Sequence, residues 1–174
     1  MNNLDASDSI RNHAVLGEPV VDPAAWHKSQ FEANEDWIYR LTDAEISDLQ
    51  NMGAAAKAKF GDDPNALLET KKADYDLGSF ATKLENIRDD LRDGVGIALL
   101  RGLPFADMDR IEVAYIYWGI GRHIGEAVSN NPEGDMIGHV IDAGRDYTDP
   151  KHRGYQTNVE MDYHCDQCDI VTLL

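Results

Sequence analysis

An α+β fold is what the sequence predicts, and three observations predict it. Apolar residues recur at helical spacing through most of the chain up to Gly94. A short and almost wholly apolar run, Val95 to Arg101, follows. The chain beyond Met136 breaks into strand-like runs separated by Gly, Pro and Asn.

The first two dozen residues are polar and close on Pro19 and Pro23, so residues 1–25 read as an arm. Residues 26–94 form a helical region. From Trp26 to Phe60 the pattern is helical throughout, with Trp37, Ile38 and Leu41 on one side of a first helix. Thr42 and Glu45 then make a capping box for a second helix, which carries Ile46, Leu49 and Met52 inward and stops at Gly61-Asp62-Asp63-Pro64. Ser79 is placed to cap a third helix through Phe80, Leu84, Ile87 and Leu91, ended by Gly94.

Residues 95–174 begin the sheet. Val95 to Arg101 reads as a strand buried on both faces. Asp109 and Glu112 open a fourth helix through Tyr115, Trp118, Ile120 and His123 to Gly125, with the Tyr115–Trp118 aromatics in its core. Met136 to Ile141 is a further strand, with His139 as a structural histidine inside it. Asp149-Pro150 marks a turn, and residues 155–174 supply one or two more strands. The run Ile170-Val-Thr-Leu-Leu174 is apolar and carries no turn. It predicts that the remaining strands of the sheet lie beyond this sequence, since an uncovered strand invites aggregation.

Composition narrows the function classes. The net charge is -16, from 32 acidic against 16 basic residues, which repels nucleic-acid phosphates and anionic membranes. No apolar stretch is long enough to span a bilayer, and the first residues lack the pattern of a secretory signal. Two cysteines are too few for a disulfide framework, so a reducing cytoplasmic location is expected.

The chemistry concentrates in Asn158-Val-Glu-Met-Asp-Tyr-His-Cys-Asp-Gln-Cys-Asp169. In an extended strand, Asn158, Glu160, Asp162, His164 and Asp166 share one face. Buried acids with one imidazole need a partner, and a divalent cation would provide it. His164 and Asp166, two apart, can reach one metal. They supply two of the three ligands of a 2-His-1-carboxylate iron site. By itself H-x-D also reads as a surface histidine beside solvated acids. Asn158 and Glu160 are placed to touch substrate. A competing reading pairs Cys165-x-x-Cys168 with His164 in a zinc site or a redox pair. Only two cysteines are present, so such a zinc site needs further ligands from elsewhere.

Several blocks in order carry a resemblance. Gly96-Ile-Ala-Leu-Leu-Arg-Gly-Leu-Pro104, Tyr117-Trp-Gly-Ile-Gly-Arg-His-Ile-Gly125, Gly138-His-Val-Ile-Asp142, Arg153-Gly-Tyr-Gln-Thr157 and His164-x-Asp166 together resemble the taurine-dioxygenase (TauD/TfdA) family of Fe(II)- and 2-oxoglutarate-dependent dioxygenases. The resemblance runs from about Trp26 onward. It implies a double-stranded β-helix (jelly-roll, clavaminate synthase-like) core with helices packed outside, of which this chain is the N-terminal portion. It also implies His164 and Asp166 as the first two iron ligands. The cofactors implied are Fe(II), 2-oxoglutarate and O2, and the reaction is hydroxylation of a small organic substrate. Cys165 stands where the family's H-T-D has Thr, and Cys168 where a small residue is usual. The family's distal histidine and its 2-oxoglutarate-binding Thr and Arg match no position here. The alternatives are a non-catalytic remnant or interaction module, or a Cys/His zinc-binding protein; association into homo-oligomers is left open.

Overall fold

The computed structural model describes residues 11, 13–129, 131, 134–144, 146, 154, 157–160, 163–166 and 168–174. The expected turn at Asp149-Pro150, most of the Arg153–Thr157 block, and His152, Asp162 and Gln167 lie outside them. One compact unit runs to Glu126 and takes in Leu174; the other is residues Ala127–Leu173.

The first unit contains α1 (Lys28–Ala33), β1 (Ile38–Arg40), α2 (Asp43–Phe60), α3 (Phe80–Asp93), β2 (Leu99–Arg101) and α4 (Arg110–Ile124). Short 3-10 turns lie at Pro64–Glu69, Lys72–Asp74 and Phe105–Asp107. Helices with a small two-stranded parallel sheet make it an α+β unit.

The sheet corrects two expectations. Trp37, Ile38 and Leu41 do not lie on a helix. Ile38 pairs with Leu99, Tyr39 with Leu100 and Arg40 with Arg101. The Leu41 N–H extends the ladder to the Arg101 carbonyl at 2.8 Å, and the Leu99 N–H to Trp37 at 2.9 Å. Only Leu99–Arg101 of the expected 95–101 strand joins the ladder. Its residues are half-buried or exposed, because a two-stranded sheet has no further strands to enclose them.

The longer helices start and stop where local chemistry says they should. Thr42 Oγ1 accepts from the Glu45 N–H at 3.3 Å, while the Glu45 carboxylate accepts from the Thr42 N–H at 2.8 Å. Gly61 closes α2 at φ +90°, a backbone conformation that costs glycine nothing. Asp109 accepts from the N–H groups of Ile111 and Glu112 at 3.0 and 3.4 Å. Lys57 of α2 reaches the same Asp109 carboxylate at 3.2 Å. Ser79 precedes α3 as expected but is already helical and does not cap it. Its hydroxyl donates to Asp48 at 2.6 Å and ties the start of α3 to α2.

Leu49, Met52 and Ala56 of α2, Phe80, Leu84 and Ile87 of α3, and Tyr115, Ile116 and Trp118 of α4 form the core; Ile46 and Leu91 are half-buried. A buried hydrogen-bond network crosses it. The Thr70 hydroxyl accepts from Tyr75 at 2.9 Å and from Trp118 Nε1 at 3.0 Å, and donates to the Leu67 carbonyl at 2.6 Å. All three polar groups are thereby satisfied away from water.

Among its described residues the second unit holds no α-helix or strand. Met136 to Ile141 is irregular, and Val140 and Ile141 are exposed. A strand requires a partner's N–H and C=O groups, and the local pattern alone supplies none. His139, expected inside that strand, is exposed. Its local order comes from polar turns instead, such as Asn131 Oδ1 accepting from the Asp135 N–H at 3.0 Å and Asp142 from the Gly144 N–H at 2.8 Å.

Candidate functional site

The strongest sequence candidates, His164 and Asp166, both belong to the second unit. They sit on irregular backbone, so the alternation expected of a strand does not position them. The two side chains nevertheless meet: His164 Nε2 lies 3.8 Å from Asp166 Oδ1, with each side chain about half exposed. Cys165, between them, is an exposed free thiol, as is Cys168.

The donor set can be tested against a divalent cation. Metal–nitrogen and metal–oxygen bonds are roughly 2.1 Å, so donors at this separation fall within the span of two bonds to one shared ion. An imidazole and a carboxylate suit a first-row divalent metal. Glu160, Asp166 and Asp169 make the local field favourable to cations. No group of three His, Cys, Asp or Glu side chains assembles among the described residues. The pair by itself therefore offers two donors, fewer than a complete metal site needs. The same observation leaves the Cys165, Cys168 and His164 zinc set unassembled there.

Asn158 and Glu160 are exposed, Asn158 within a bend at residues 157–159 and Glu160 just after it. The bend is held by Thr157, whose hydroxyl donates to the Gly154 carbonyl at 2.8 Å. Strand alternation thus gives no ground for setting them on the same face as His164.

His123, in the first unit, is a half-buried structural histidine. Its Nε2 lies 3.0 Å from the Tyr75 carbonyl oxygen. Burial holds its pKa below the ordinary imidazole value, against the opposing pull of that hydrogen bond. Sequence reasoning missed the Thr70 network around it. A threonine in a polar loop carries no signal that two aromatic donors will converge on it.

Two curated proteins are similar to nearly the whole chain. One is the FR-33289 synthase of Streptomyces rubellomurinus, 29% identical over 168 residues, which cover 92% of this chain and 46% of that protein. The other is the taurine hydroxylase-like protein SAT17 of Stachybotrys chartarum, 24% identical over 175 residues, covering 96% of this chain and 44% of that protein. The chain spans a little under half the length of the curated relatives it matches. No family model matches the sequence. Among the described residues, no helix is long and apolar enough to cross a membrane.

Proposed function

We propose that this chain is part of an Fe(II)- and 2-oxoglutarate-dependent hydroxylase acting on a small organic molecule, and that His164 and Asp166 are two of its iron ligands. The observation that carries the reading is the 3.8 Å approach of His164 Nε2 to Asp166 Oδ1 in a chain similar along almost its whole length to a taurine hydroxylase-like protein. In this reading residues 95–174 begin a jelly-roll core and residues 26–94 pack outside it.

When bound, the iron with 2-oxoglutarate would activate O2, which by itself reacts too slowly with an organic substrate. This chain's residues do the holding. His164 offers a neutral ring nitrogen, and Asp166 an anionic oxygen that offsets part of the metal's charge. Asn158 and Glu160 are proposed as substrate contacts from the neighbouring bend. The second histidine and the groups that bind 2-oxoglutarate are contributed from outside the residues assigned here.

The test uses the full-length protein that carries this chain. Anaerobic addition of Fe(II) and 2-oxoglutarate should produce a weak visible charge-transfer band. Admitting air with substrate should release succinate in step with product. A protein that binds Fe(II) at neither His164 nor Asp166 and makes no succinate would overturn the proposal.

A further inference from the structure

A pocket of about 240 Å³ in the first unit lies between α1, the residues leading into β1, and the end of α3. Trp26, Phe31 and Trp37 line it, with Asp36 and Asp90. The three rings meet edge to face. Trp26 and Phe31 have centroids 4.3 Å apart at 78°, and Phe31 and Trp37 lie 5.5 Å apart at 82°. Successive perpendicular rings make adjoining walls rather than a flat stack. The Trp26 indole N–H donates to the carbonyl of Val95, another lining residue, at 3.1 Å, and Tyr39 of β1 donates to the Asp90 carboxylate.

The charge of the lining is one-sided. Neither Asp36 nor Asp90 has an ion-pair partner among the described residues, and no basic residue lines the pocket. Arg11, which donates to the Gly94 carbonyl at its edge, is already paired with Asp22. Aromatic faces attract cations through their quadrupole, and carboxylates without a cationic partner add a direct charge term. We propose that this pocket binds a small organic cation of the alkylammonium type, seated against Trp26, Phe31 and Trp37 and drawn in by Asp36 and Asp90. Every residue that lines the pocket belongs to the first unit, so the proposal does not depend on the iron reading.

The experiment compares two probes of the same shape on the purified chain: choline, and its uncharged carbon analogue 3,3-dimethylbutan-1-ol. Titration followed by indole fluorescence and by ligand NMR line width should give saturable millimolar binding of choline. The alcohol should bind at least about fivefold more weakly. Added salt should weaken choline alone. Asp36→Asn, at an exposed position, should reduce choline affinity while the circular dichroism spectrum is unchanged, and Trp26→Leu should reduce it further. Equal affinity for the two probes, no saturation with choline, or binding indifferent to Asp36→Asn would each overturn the proposal.

Discussion

Gly53 of α2 faces Ile116 of α4 with no room for a side chain between them. A Cβ at position 53 would stand 2.7 Å from Ile116 Cγ1 and 3.0 Å from the Glu112 carbonyl oxygen. The absence of a Cβ is what lets α2 and α4 approach closely enough to bury Leu49, Met52, Tyr115 and Ile116.

Gly53→Ala should therefore destabilise the protein. Helix propensity favours alanine by about 1 kcal/mol, but overpacking at a close helix contact costs typically 1–3 kcal/mol. The backbone carbonyl at 3.0 Å cannot swing aside as a flexible side-chain end can, so the overpacking term should win. Urea denaturation is expected to show a net loss of about 1 kcal/mol. A stabilised variant would mean the helices separate at little cost.

Thr70→Val should cost more than its size suggests. The substitution keeps the shape but strands the Tyr75 hydroxyl and the Trp118 indole N–H without their shared acceptor. Each unsatisfied buried donor costs about 1–3 kcal/mol, so for two a loss of roughly 2–6 kcal/mol is expected. Thr70→Ser retains the hydroxyl and should recover most of it. Thermal melts of the two variants make the comparison.

Glu45 should contribute a pH-dependent part of the stability. Burial opposes its ionisation, but hydrogen bonds from Lys83 and from the Thr42 N–H and hydroxyl outweigh this and hold its pKa below the usual carboxylate value. A carboxyl lowered in the folded state stabilises fully above its unfolded pKa, and loses that contribution as pH falls through the folded one. Stability should accordingly decline on acidification below the ordinary glutamate range. Glu45→Gln should flatten that segment of the stability curve, measured by urea titrations at successive pH values.

At the proposed iron site, His164→Ala and Asp166→Ala in the full-length protein should each abolish Fe(II) binding. Cys165→Thr should leave it intact, because the thiol is no ligand in this reading. Calorimetry with Fe(II) under anaerobic conditions reads all three. Loss of binding with the cysteine variant would point to thiolate coordination instead.

Within the site, sequence spacing singled out His164 and Asp166, and the structure brings their side chains to 3.8 Å. The route differs from the expected one, since the backbone there is irregular and the bend at 157–159 removes the alternation that linked Asn158 and Glu160 to the pair. The aromatic pocket could not be foreseen. Trp26 and Phe31 read as helix residues, and only folding sets them beside Trp37 and Asp90.

By itself the sequence determined α2, α3 and α4 closely, because a helix makes its hydrogen bonds within the segment and its ends are written in neighbouring residues. Thr42 with Glu45, Gly61, Asp109 and Gly125 were all legible for that reason. Tertiary structure decided the strands. Trp37, Ile38 and Leu41 have helical spacing, yet Ile38–Arg40 is a strand because Leu99–Arg101, far along the chain, supplies its partner groups. Met136 to Ile141 has strand-like composition, yet forms no strand, since no described segment pairs with it. A strand exists only with its neighbour, and local sequence does not name that neighbour.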